Sequence, residues 1–203
     1  MITITNKTED CYFLPDDGDI ARKRFLDTLT MPGDVYISCF GFTLQEAFDA
    51  IIANDAKGYN QSLLLDYTQA SGKYAKPKIK ELLSKTKNCT VILTSAGNKS
   101  KKTTSYWHWK GLVKVGLDKR KAPICVDGST NISISAFYQG NSMRFFNNKL
   151  WAETFISQHN ANKEWALKSL SHYQPAILAD GVDTIDLFFD NLEENDFELD
   201  LLI

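Results

Sequence analysis

His108 and Lys110 in the string His108-Trp109-Lys110, with Ser129 and Asn131 in the string Asp127-Gly128-Ser129-Thr130-Asn131, are the residues of this chain best suited to chemistry. On an extended strand alternate side chains share a face, so His108 and Lys110 point the same way, as do Ser129 and Asn131 if their segment is extended. One face then offers a titratable nucleophile, a fixed cation, a hydroxyl and an amide. Phosphoryl transfer needs such a set: an attacking nitrogen, donors for the charge that builds on the non-bridging oxygens, and a hold on the leaving group.

The charge around these residues agrees with a phosphodiester partner. A net charge of −2 conceals a segregation, because all 23 Lys and Arg lie before residue 169 while nine of the 25 acids lie in residues 180–203. Residues 73–149 carry sixteen basic groups against Glu81, Asp118 and Asp127, a net +13. Such an excess attracts a polyanion, and Lys99, Lys101, Lys102, Lys114, Lys119, Arg120 and Lys121 are the candidate nucleic-acid contacts.

The elements that must position these groups follow from periodicity. Residues 33–40 read as a buried strand, Leu44 to Ala56 as a helix with Leu44, Ala47, Phe48, Ile51 and Ile52 on its stripe, 62–67 as a second strand, 77–87 as a helix opened by Pro77, and 89–94 as a third strand. This β-α-β-α-β order predicts an α/β fold with a mixed, mostly parallel sheet flanked by helices. Residues 96–105 read as a lysine-bearing loop, 106–115 and 122–126 as strands joined by a basic turn, the region near Ser135 as a helix, 150–156 as a strand and 160–170 as a last helix.

At 203 residues the chain suits one domain, placed at 1–175, with an acidic and apolar tail or docking helix at 176–203. No apolar run reaches membrane-span length, and no export signal or C-x-x-C pair is present, so Cys11, Cys39, Cys89 and Cys125 read as core thiols of a cytoplasmic protein.

The motif residues resemble the phospholipase D superfamily, whose signature is H-x-K-x4-D, then G-S-x-N, then a carboxylate. His108, Lys110, Gly128, Ser129 and Asn131 match position by position, and with the strand-helix lead-in the similarity covers residues 30–172. Two positions depart: Val115 stands where the signature has aspartate, and the later carboxylate is best matched by Glu153. The resemblance implies a phospholipase D-like fold and a two-step reaction without metal or cofactor. In it His108 attacks phosphorus, Lys110, Ser129 and Asn131 stabilise the equatorial oxygens, Glu153 orients the histidine, and a second histidine protonates the leaving oxygen. This chain has one H-x-K, so the second histidine must come from another copy, in a homodimer with its active site on the two-fold axis.

The charge selects an endonuclease on DNA or RNA; the rivals are a phospholipid phosphodiesterase and a catalytically silent protein that binds nucleic acid or a partner. His159 and His172 read as surface or capping residues, Asp66 as a turn cap, Trp107 and Trp109 as core packing facing away from His108, and Tyr106 and Tyr138 as stacking surfaces. Three readings stand for the tail: a guard over the basic cleft, a last helix, or a short motif, since Thr184-Ile185-Asp186-Leu187-Phe188 looks loosely like a sliding-clamp-binding peptide.

Overall fold

The computed structural model describes residues 4–6, 9–94, 108–118 and 120–169. Eight strands form one sheet: β1 (Ile4–Asn6), β2 (Glu9–Phe13), β3 (Gly33–Cys39), β4 (Gln61–Asp66), β5 (Cys89–Thr94), β6 (Lys110–Gly116), β7 (Ile124–Gly128) and β8 (Ser142–Asn147). Their order across the sheet is β1-β2-β8-β7-β6-β3-β4-β5. The expected mixed sheet is present, but parallel pairing is confined to β3 with β4 and β4 with β5, the two joins that helical crossovers make. The other pairings are antiparallel; β6 returns into β7 through residues 117–123, and β7 into β8 through the longer segment 129–141, which carries Ser129 and Asn131.

Period-two alternation decides what each face of the sheet buries. Val35, Ile37, Leu63, Leu65, Val91, Leu112 and Val126 meet Phe25 and Leu29 of α1 (Gly18–Thr30), Phe48 and Ile51 of α2 (Gln45–Asp55), and Ile79 and Leu82 of α4 (Lys76–Lys85). A one-turn α3 (Tyr67–Ala70) follows β4, capped by the carboxylate of Asp66, which takes the backbone N–H of Gln69 at 3.2 Å as a turn-capping acid would. The opposite face carries Val113, Cys125, Leu64 and Ile92, covered by Ala152, Phe155 and Ala166 of α5 (Lys149–Ser169).

Helix α5 corrects the expectation of a strand at 150–156. Trp151, Ala152, Phe155 and Ile156 are β-rich in type, yet their spacing of three and four is helical, and Asn148 caps the start by accepting the Trp151 N–H at 3.0 Å. Strand β8 has no counterpart among the elements expected from periodicity, and the expected helix near Ser135 is a single 3-10 turn, Ser135–Tyr138. Cys39, Cys89 and Cys125 are buried free thiols, whereas Cys11 is half-buried. Among the described residues no helix is long and apolar enough to cross a membrane. The tail at 176–203 and His172 lie outside the described residues.

Candidate active site

Strands β3, β4, β5 and β7 end, and β6 begins, at one edge of the sheet, which is where the motif residues gather. Cys39, the last residue of β3, is opposite Lys110, the first of β6. The dipeptide after β3, Phe40-Gly41, then ties three motif residues together. The Phe40 ring lies 5.0 Å from the His108 imidazole, and Lys110 Nζ stands 5.3 Å over the same ring, so His108 and Lys110 share a side of the strand as alternation requires. The Phe40 N–H also donates to the Trp109 carbonyl at 2.8 Å, fixing the backbone between them.

Gly41 holds the second motif. Its N–H donates to Asn131 Oδ1 at 3.3 Å, its carbonyl accepts from the Ile132 N–H at 2.8 Å, and a Cβ at this position would come within 3.1 Å of the Asn131 carboxamide carbon. Among the described residues the Asn131 Nδ2 has no hydrogen bond, which leaves two N–H groups for an anion. Gly128 turns the chain from β7 into this segment at φ +147°, and a Cβ there would stand 2.2 Å from the Ser142 carbonyl oxygen, so the motif glycine answers a backbone need. Ser129 is exposed; its hydroxyl donates to Asn141 Oδ1 at 3.2 Å and accepts from the Ser142 N–H at 3.0 Å. Donation to a phosphate therefore requires release from Asn141.

The electrostatics are those of a cationic edge backed by apolar core. Burial pulls the Lys110 ammonium below its usual pKa, opposed in part by nearby Cys39, and among the described residues its Nζ donates to the His108 carbonyl alone, at 3.3 Å. Burial pushes the Cys39 thiol up to about 11, which removes it as a nucleophile. Lys78 of α4 reaches the same edge, donating to the Thr43 carbonyl at 2.7 Å, a cation that motif spacing alone does not single out. Among the described residues no group of three or more His, Cys, Asp or Glu is placed to hold a metal ion.

Several expected site residues stand elsewhere. Glu153 lies on the exposed side of α5, 3.8 Å from Lys149, and among the described residues no carboxylate hydrogen-bonds His108. Lys114 is not a nucleic-acid contact: two residues beyond Leu112 it faces the core, is 2% exposed, and donates to the carbonyls of Leu29 at 3.3 Å and Gly33 at 2.8 Å, where it satisfies the end of α1. Burial lowers its pKa to about 8. Arg120 and Lys121 are exposed, Arg120 paired with Asp118 at 2.9 Å, but their turn lies at the far end of β6, about 20 Å from Lys110 at ~3.3 Å per residue. Val115 packs in the apolar cluster under α5. Lys99, Lys101, Lys102, Lys119, Tyr106 and Trp107 lie outside the described residues.

Trp109 does face away from His108, packing 5.8 Å from Phe155, with Gly111 leaving room where a Cβ would meet that ring at 2.6 Å. Tyr138 is exposed and donates to Asp19 at 2.6 Å. His159 corrects the surface reading: it is wholly buried, with Nδ1 2.9 Å from Ser38 Oγ and Nε2 2.9 Å from Ser62 Oγ, and burial lowers its pKa to about 4.

No family profile and no curated protein matches the chain. Among solved structures it is similar to NucT from Helicobacter pylori, at 19% identity and a TM-score of 0.65 over 78% of this chain and 96% of that one. It is similar also to Nuc from Salmonella typhimurium, a phospholipase D family member, at 16% identity and a TM-score of 0.58 over 77% and 95% of the two chains. Phosphatidylserine synthase from Haemophilus influenzae matches at 10% identity and a TM-score of 0.55, over 96% of this chain and 48% of its own. The fold is therefore phospholipase D-like.

Proposed function

We propose that this chain with a phospholipase D-like fold is a metal-independent phosphodiesterase, an endonuclease on DNA or RNA that works through a phosphohistidine at His108. The observation that carries the reading is the Phe40-Gly41 hub, which brings His108, Lys110 and Asn131 to one sheet edge. His108 Nε2 or Nδ1 forms the bond to phosphorus as the first P–O bond breaks, and water later takes the phosphoryl group from nitrogen. Lys110 and the Asn131 Nδ2 N–H groups meet the charge on the non-bridging oxygens, with Ser129 joining once it leaves Asn141. A second His108, from a second copy across a two-fold axis, protonates the leaving oxygen.

The lysine-rich stretch favours nucleic acid over lipid. NucT and Nuc are each matched over nearly their whole length, so the fold of each small protein is contained within this chain. The second reading, a silent nucleic-acid-binding protein, is favoured by one observation: the His108 ring is steadied by Phe40 packing, with no carboxylate bonded to it among the described residues. Plasmid and oligonucleotide cleavage in excess chelator, with wild type and His108→Ala, tests both. Cleavage by wild type alone supports the enzyme; tight binding without cleavage by wild type establishes the silent reading. Sedimentation that shows a monomer with full activity refutes the shared site.

A further inference from the structure

On the other side of β6 from His108, a groove of about 340 Å³ opens between the strand and α5. That volume is at the lower end of the about 300–1,000 Å³ typical of small-ligand sites. Trp151, Thr154, Phe155 and Gln158, at helix spacings of three and four, form one wall, and Trp109 with Asp127 forms the other. The rings make flat surfaces: Trp151 stacks on Phe155 at 5.2 Å and 17°, and Trp109 is 37% exposed although it adjoins His108 in sequence. Polar edges surround them. Among the described residues the Gln158 amide has no hydrogen bond, and Asp127, held by Arg144 through bonds of 2.9 and 2.6 Å, keeps lone pairs to spare.

We propose that this groove is a nucleobase subsite, which takes the unpaired base flanking a phosphate bound at His108 and Lys110. The inference rests on the phosphodiester reading of that edge. Flat aromatic faces give sequence-tolerant stacking, while the Gln158 amide and the Asp127 carboxylate reach the hydrogen-bonding edge of the base. Lys110 also lines the groove, so the phosphate and base positions are continuous through Trp109-Lys110-Gly111. A base stacked in a duplex cannot enter, so the substrate is single-stranded or has its base turned out.

The test measures binding by the cleavage-blocked His108→Ala protein to a fluorescent twelve-residue oligothymidylate and to its abasic counterpart of equal charge. The expected result is about tenfold tighter binding of the base-bearing strand, with quenching of tryptophan fluorescence by that strand alone. Adding Trp151→Leu or Trp109→Leu removes most of the difference, and adding exposed Gln158→Ala, which leaves the core untouched, reduces it several-fold. Equal affinity for the two strands overturns the subsite. So does a difference that survives all three substitutions, or a fall in molecular mass on Trp151→Leu with the base preference intact, which assigns the groove to a second copy. If wild type fails to cleave while the base preference holds, the catalytic reading fails and the subsite stands. Cleavage without base preference removes the subsite and leaves the catalytic reading in place.

Discussion

The buried His159 makes folding stability fall in mild acid, and its environment sets the size of the effect. It sits between Ser38 on β3 and Ser62 on β4, each hydroxyl 2.9 Å from a ring nitrogen, with Tyr36 edge-on at 5.8 Å. A neutral imidazole satisfies both serines, one as donor and one as acceptor, but protonation places a charge under α5 where desolvation is costly. Its pKa is lowered to about 4 from 6.5, so between these values the unfolded chain binds the extra proton. Stability is therefore intact above pH 6.5 and is lost as pH falls towards 4. At about 1.36 kcal/mol per pKa unit the full loss is about 3 kcal/mol, of which about 2 kcal/mol has gone by pH 5. Urea unfolding of wild type and His159→Gln from pH 7.5 to 5 isolates this contribution, because carboxylate titrations are common to both proteins. The wild type should lose about 2 kcal/mol more than the variant across that range. Parallel profiles would refute the buried neutral histidine.

Three further outcomes follow from the site. Gly128→Ala should cost about 1–3 kcal/mol in thermal unfolding and weaken nucleic-acid binding, since it joins a φ of +147° to a Cβ 2.2 Å from the Ser142 oxygen; unchanged stability would mean that the turn relaxes freely. Lys114→Met should leave affinity and its salt dependence as in wild type, whereas Lys110→Ala should weaken binding and lower the salt slope by about one; equal losses would place Lys114 at the phosphate. Because burial lowers the Lys110 pKa, the alkaline fall of cleavage should begin below the ordinary lysine range and disappear in Lys110→Arg, which a pH profile of single-turnover rates measures.

The stretch from β3 to β5 is legible in the sequence because its strands are short apolar runs separated by helices with clear stripes, whereas β1, β2 and α1 have no counterpart among the elements expected from periodicity. The pairing of His108 with Lys110 is equally legible, since strand alternation needs no tertiary knowledge. The same alternation carries a further signal: Lys114 shares parity with Leu112, so a buried Leu112 implies an inward lysine. One misassignment has two consequences. Reading 150–156 as a strand makes Glu153 a plausible ligand of His108 and detaches His159 from the helical stripe of Ala152, Phe155 and Ala166; Asn148 as a cap is the signal that corrects it. The Phe40-Gly41 hub is not legible at all, because its partners are 68 to 91 residues away and only the sheet order brings them together.

Trapping the covalent intermediate tests the central claim most directly. Wild-type protein is quenched in alkali during cleavage of a phosphate-labelled oligonucleotide in excess chelator, and its peptides are mapped by mass spectrometry. A nitrogen–phosphorus adduct on His108, stable to alkali and lost in acid, is the result this account predicts. Cleavage with no adduct, or with the adduct on any other residue, would contradict it.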